Sequence, residues 1–513
     1  MSAEQDKKKG HDGHSHDSHK PHDTASWVLT GPWAGAWKIF AGIGAVGLGL
    51  SAVGFMSDTR RFAFSWMFAY ITVLAIALGS IFFVLIQRLT SAGWSVTVRR
   101  TAELFGYGVL ALIPLFIPVI LTMGHLFPWI GEGHDAKAHD KGAEHGSISL
   151  IAPAYAQAPS NAAAADHKDP QLDKGTATSA HGANLGSLGS AQGVPLDTGA
   201  VHGGGIGDPG AQPHGNTPDA KEHAEHQAHA LIHDGLMAKK SGWLNKNFFY
   251  LRALLYFLIW SFLALRLLGY SVAQDTSKDP QLTVRAQAFA PGAMFLFALS
   301  LTFAAVDWIM SLEPTWFSTI FGVYYFATGV VSSYAVIILV TLALRNSGPL
   351  QGAVTPEHYH DLGKLMFGFL VFWAYIGFSQ FMLIWYAALP EETTWYHNRW
   401  DFGPWAKVTM AVIIGHFVVP FFWLISRNMK RNVGRLQVGA AILLVFHVVD
   451  IYWFVMPNYA LGSNEFTFHW IDAACLLAVG GVYGALVFFR MGKQALVPVG
   501  DPRLERSLHF QNA

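Results

Sequence analysis

The stretch FSWMFAYITVLAIALGSIFFVLIQ, residues 64–87, contains no charged side chain from Phe64 to Gln87. A helix of this length, about 35 Å, exceeds the roughly 30 Å hydrocarbon core of a bilayer. Working outward in both directions, further apolar runs of spanning length cover residues 37–56, 103–127, 248–268, 287–312, 318–344, 362–388, 405–425, 437–457 and 470–490, so that about ten helices are predicted. The fold class is therefore an all-α integral membrane protein. The first apolar run begins only near Trp37, behind a polar and His-rich start, too late and too long for a cleavable secretory signal.

The composition agrees. Of 513 residues, 52% are hydrophobic and only 13% charged, where a soluble globular domain carries roughly 25% charged. The formal net charge is +0, from 34 Lys plus Arg against 34 Asp plus Glu, which leaves no overall basic field to hold nucleic acid. The single cysteine, Cys475, excludes an internal disulfide, a four-thiolate iron–sulfur cluster and the two-thiol attachment of a c-type haem. No covalently bound cofactor is expected.

The chain divides into a His-rich tail (1–36), three helices (37–129), a long segment (130–246), seven helices (247–490) and a short tail (491–513). The 130–246 segment is dominated by Ala, Gly, His, Asp, Pro, Ser and Lys, cannot bury enough apolar surface to offset its ordering entropy, and is expected to be mostly disordered. An even number of spans puts both tails on one face. Outside residues 130–252, the loops on the other face hold only Arg60, Arg61, Arg399 and Lys407 of the 34 Lys and Arg. The remaining cations flank the tails' face, so the positive-inside rule predicts cytoplasmic termini and a periplasmic His-rich loop.

Gly42-Ile43-Gly44-Ala45-Val46-Gly47 is a formal dinucleotide fingerprint, but it follows no strand and lies in hydrocarbon, where close helix packing is the expected use of small residues. Of the 24 histidines, 16 lie in the first tail and the long segment, including His223, His226, His229 and His233. They read as solvated tracts rather than a metal site, and no metal is assigned.

Ionisable residues within the spans carry more information, because each is costly in a bilayer and marks a pathway by default. Asp307 lies more than one turn inside the fifth span, with Glu313 beyond it. His447 and Asp450, three residues apart, share a face of the ninth span, and His416 lies at comparable depth on the eighth. These four read as a proton path, with Asp361, His360 and Lys364 at its cytoplasmic mouth and Glu313, Glu391 and Asp472 outside. The alternative is a set of satisfied structural contacts. On the seventh span Trp373, Tyr375, Gln380 and Tyr386 suit a quinone ring and its carbonyl oxygens, although Trp and Tyr also collect at membrane interfaces for their own reasons. His416 and His447 could alternatively be axial ligands of a b-type haem. No convincing internal repeat of the kind seen in secondary transporters is present.

The strings Ser311-Leu312-Glu313-Pro314-Thr315-Trp316-Phe317-Ser318-Thr319-Ile320-Phe321-Gly322-Val323-Tyr324 and Thr355-Pro356-Glu357-His358-Tyr359-His360-Asp361-Leu362-Gly363-Lys364 closely resemble the ActF-type membrane subunits of the bacterial alternative complex III. Trp373-Ala374-Tyr375-Ile376-Gly377-Phe378-Ser379-Gln380 and Trp385-Tyr386-Ala387-Ala388-Leu389-Pro390-Glu391-Glu392-Thr393 extend the likeness, which covers roughly residues 248–490. That family belongs to the NrfD/PsrC-like, polysulfide-reductase membrane subunit class. The resemblance implies a helix bundle without bound metal in a quinol:cytochrome c (or quinol:oxidase) oxidoreductase, with menaquinone or ubiquinone as the diffusible quinol. It further implies a related membrane subunit, a periplasmic iron–sulfur protein, multihaem and monohaem cytochromes c and a terminal oxidase as partners, in a bacterial inner membrane. In that family this subunit contributes to quinone binding, proton conduction or anchoring, and the sister subunit is the better-supported site of quinol oxidation.

Overall fold

A computed structural model describes residues 27–131, 235–400, 403–460 and 468–512. Residues 1–26 of the His-rich tail and most of the 130–246 segment lie outside the described residues, and so do the expectations made for them. Among the described residues ten helices are long and apolar enough to cross a membrane: α1 (Gly31–Ser57), α2 (Thr59–Leu89), α3 (Val96–Leu121), α4 (Lys246–Ser277), α5 (Pro280–Leu312), α6 (Phe321–Asn346), α7 (Pro356–Ala387), α8 (Pro404–Leu424), α9 (Val433–Asn458) and α10 (Trp470–Met491). No strand occurs among the described residues. The chain is an all-α, multi-pass membrane protein. The spans match the apolar runs of the sequence, and several extend past them because capped helix ends continue into polar residues. Asn245 Oδ1 accepts from Phe248 N at 2.9 Å to start α4, and Asp279 caps α5 through Gln281 N at 2.9 Å.

Burial is uneven in a way that hydropathy does not show. The most apolar stretch of α2 is 89% buried and that of α6 is 83% buried, against 22% for α1 and 28% for α7. In water such uniformly apolar helices would all have to be buried. In lipid the outer face is as apolar as the core, and small residues decide which faces meet. Gly79 of α2 lies directly against the Gly329 backbone of α6, and Ser80 Oγ meets Ser333 Oγ at 3.0 Å one residue along. These contacts make α2 and α6 the hub of the bundle.

The glycines of α1 serve the same purpose. A Cβ on Gly44 would meet Val482 N at 2.9 Å, one on Gly47 would overlap the Ala478 backbone, and Phe40 stacks on Phe488 at 4.8 Å. Gly44 and Gly47 thus seat α1 on α10, while Gly42 has nothing nearby. The fingerprint-like spacing is a packing seam.

Two helices are irregular. In α3, Pro114 and Pro118 interrupt the ladder, Phe116 N turns to Ile113 O at 3.2 Å, and the Leu112 carbonyl is taken by Tyr70 Oη of α2 at 3.2 Å. Trp66 Nε1 donates to Leu115 O at 2.9 Å. A broken helix inside a membrane requires such replacement donors. In α8, residues Ile413–Val418 form a π-turn in which a Cβ on Gly415 would overlap the Phe446 ring of α9. That turn carries His416.

Both described termini lie at one end of the bundle, where Leu496 N donates to Trp27 O at 2.8 Å. At this end Arg99 Nη2 binds Asp501 Oδ2 at 2.6 Å, Arg99 Nε binds Glu103 at 3.2 Å, and Arg100 binds Glu103 at 3.1 Å and Asp275 at 2.8 Å. The tail that supplies Asp501 continues to Phe510, which packs on Trp94 and His358, and to Asn512, whose Nδ2 donates to Glu357 O at 3.0 Å.

Candidate functional site

Five helices converge on Asp450. The i, i+3 spacing of α9 turns His447 and Asp450 inward together, and neither has measurable exposure. Thr328 Oγ1 of α6 donates to Asp450 Oδ2 at 2.6 Å, and Trp373 Nε1 of α7 donates to the same oxygen at 3.1 Å. From α8, His416 stacks face to face on the Trp373 indole, with ring centroids 4.2 Å apart and planes 9° apart, and its Nδ1 lies 3.8 Å from Asp450 Oδ2. From α2, the Thr72 carbonyl oxygen lies 3.1 Å from His447 Nε2. His447 Nδ1 faces Thr328 Oγ1 at 3.5 Å.

The electrostatics are unusual for a buried acid. Among the described residues no Lys or Arg reaches Asp450, its Oδ1 has no hydrogen-bond partner, and neither ring nitrogen of His416 has one. An ionised carboxylate in such a place would be very costly without a cation. The group can instead take up a proton, with the imidazoles of His416 and His447 in the same cluster. Of the sequence candidates, His416, His447 and Asp450 lie together at this centre. Thr328 and the Thr72 carbonyl were not visible in the sequence, because a hydroxyl and a carbonyl within apolar helices look like hundreds of others. As for the haem alternative, the His416 ring is stacked on the Trp373 indole and His447 Nε2 is held by the Thr72 carbonyl of α2.

Asp307 lies elsewhere. Arg252 of α4 grips it with Nε at 2.6 Å and Nη2 at 2.9 Å, Tyr256 Oη donates at 2.7 Å and Trp243 Nε1 at 2.8 Å. Both oxygens are saturated and the charge is matched, which is the arrangement of a structural ion pair. The sequence shows Arg252 as a cation near the start of α4 but does not pair it with Asp307, which lies on another helix.

At the end carrying the termini, Asp361 pairs with Lys364 at 2.5 Å, and His360 Nδ1 is buried without a partner. At the opposite end Asp472 is held by Arg61 and by Tyr452 Oη at 3.2 Å, Glu391 is exposed, and Glu313 faces Arg399 at 3.7 Å. Burial raises the Glu313 carboxyl above its ordinary range despite Arg399, and burial lowers the Arg399 guanidinium to about 10. The separation is too long for the pair to offset its desolvation. Arg399 instead donates to the Trp453 and Phe454 carbonyls at 3.2 and 3.1 Å, closing the end of α9.

The four quinone candidates separate. Trp373 and Gln380 face inward, Gln380 accepting from Ser318 Oγ at 2.9 Å and donating to Tyr396 Oη at 3.2 Å. Tyr375 and Tyr386 face outward, 64% and 83% exposed. They do not form one quinone pocket within this chain. Among the described residues no group of His, Cys, Asp and Glu could hold a metal ion. No family model matches the chain, and no curated protein matches it.

Proposed function

We propose that this chain is an integral membrane subunit of a respiratory quinol:cytochrome c (or quinol:oxidase) oxidoreductase of the alternative complex III kind, and that its part is to conduct protons through the Asp450 centre. The observation that carries the proton role is a fully buried carboxyl that, among the described residues, has one bare oxygen, no Lys or Arg partner and two imidazoles in its cluster. Intramembrane acids of this kind are the usual stations of proton relays. The respiratory setting rests on the resemblance of residues 248–490. The tails would face the cytoplasm of a bacterial inner membrane, as the Lys and Arg bias indicates. Menaquinol or ubiquinol would supply two electrons and two protons in that assembly. Contact of this chain with the quinone is proposed only for the outward face of α7 that carries Tyr375 and Tyr386, where a second, related membrane subunit would close the pocket.

The test is mass-spectrometric identification of the proteins that co-purify with the full-length chain in mild detergent. A related membrane subunit, a large iron–sulfur protein, multihaem and monohaem cytochromes c and a terminal oxidase are expected. Recovery of the chain with none of these would overturn the respiratory reading.

A further inference from the structure

Thr328 stands between the two titratable side chains of the Asp450 centre. Its hydroxyl donates to Asp450 Oδ2 at 2.6 Å, and the lone-pair side of the same oxygen faces His447 Nδ1 at 3.5 Å. The other nitrogen of His447 fixes the direction of traffic. Nε2 lies 3.1 Å from the Thr72 carbonyl oxygen, which can only accept, so Nε2 carries a proton in every state of the ring. Nδ1 is then the nitrogen that gains and loses a proton, and it is the one turned toward Thr328.

We propose that Thr328 is the hydroxyl bridge that passes protons between His447 and Asp450, with the Thr72 carbonyl as the positioning group that selects the working nitrogen. This rests on the reading of the Asp450 centre as a proton site. The step balances. The Nδ1–H bond of the His447 imidazolium breaks and its proton joins Thr328 Oγ1, while the original Oγ1–H bond breaks and that proton joins Asp450 Oδ2. The products are a neutral imidazole in the Nε2–H form that Thr72 holds, an intact hydroxyl and a neutral carboxylic acid. The reverse step recharges the pair. The 3.5 Å separation closes when Nδ1 is protonated and becomes a charge-assisted donor; resting hydrogen bonds of transfer sites are commonly long. Trp373 Nε1, at 3.1 Å, holds Oδ2 toward the hydroxyl, and His416 approaches the same oxygen from the opposite helix.

The experiment measures proton flux, driven by a membrane potential, into liposomes containing the full-length chain in its isolated assembly and a pH-sensitive dye. Thr328→Val, which keeps the shape and removes the hydroxyl, is expected to lower the flux at least tenfold. Thr328→Ser is expected to stay within about twofold of wild type, because only the hydroxyl is needed. Wild-type flux in Thr328→Val overturns the bridge. The Asp450→Asn variant separates the two claims: lost flux there with normal flux in Thr328→Val refutes the bridge alone, and normal flux in both refutes the proton site itself. Difference infrared spectra of wild type with isotope-labelled histidine serve should Thr328→Val not fold. The imidazolium and carboxylate bands are expected to vanish together on transfer, and loss of the carboxylate band with the imidazolium band unchanged overturns the proposal.

Discussion

Asp307 and Asp450 are both acids buried within apolar helices, and their neighbours give them opposite characters. Asp307 has a bidentate guanidinium, a phenol and an indole on its two oxygens. Asp450 has two neutral donors on one oxygen and none on the other. Removing one partner of a buried ion pair strands the other charge, at a cost of about 3–5 kcal/mol. Asp307→Asn is therefore expected to lower the thermal unfolding midpoint in detergent by several degrees, whereas Asp450→Asn, which keeps an oxygen acceptor for Thr328 and Trp373, leaves it nearly unchanged. The reverse order of stabilities would show that the roles of the two acids have been exchanged. The sequence shows both acids, and the i, i+3 spacing of His447 and Asp450 already places them on one face. It does not show that Arg252 neutralises Asp307, because that partner lies on another helix, 55 positions away. Thr328 is still less visible, since it differs from any other helix threonine only through what α9 brings to it.

At the scale of elements, the spans are legible because the bilayer imposes their length and forbids charge within them. Which faces meet is less legible, because lipid and core select the same side chains. The exceptions are positions where size decides, as in the seam of α1 on α10. Ser51 Oγ lies 3.6 Å from Cys475 Sγ across that seam. A Ser51→Cys variant is expected to form a disulfide with the native Cys475 under mild oxidation, tethering α1 to α10. In a Gly47→Leu background the added side chain collides with the Ala478 backbone, and the crosslink yield is expected to fall severalfold. Equal crosslinking in the two backgrounds would contradict the seam. The bend of α3 was implicit in Pro114 and Pro118, but the indole and phenol of α2 that satisfy the freed carbonyls were not. The π-turn that delivers His416 has no sequence mark beyond Gly415, whose lack of a side chain admits the Phe446 ring.

For the molecule as a whole, the end carrying the termini is closed by a buried ionic cluster that joins residues some 400 positions apart, as in the Arg99–Asp501 pair with a separation of 402. No local pattern announces such a contact. Burial alone would raise the Asp501 carboxyl, but Arg99 and Arg503 outweigh it and hold the group well below the ordinary carboxylate range. A carboxyl depressed in the folded state stabilises the fold above its unfolded value, about 3.9, and that stability is lost as pH falls below it. The unfolding midpoint of wild type is thus expected to drop more steeply between about pH 5 and pH 2 than that of Asp501→Asn. Parallel curves would contradict the role of Asp501 as the anchor of the tail. Within this frame α2, α6, α7, α8 and α9 hold Asp450, a buried acid with no Lys or Arg partner among the described residues, where we propose that a proton is carried. The most direct measurement of that claim is potential-driven proton flux into liposomes containing the full-length chain in its isolated assembly, compared between wild type and Asp450→Asn at equal incorporation. The account requires the flux to fall at least tenfold in the variant while the fold is retained; undiminished flux through Asp450→Asn would contradict it.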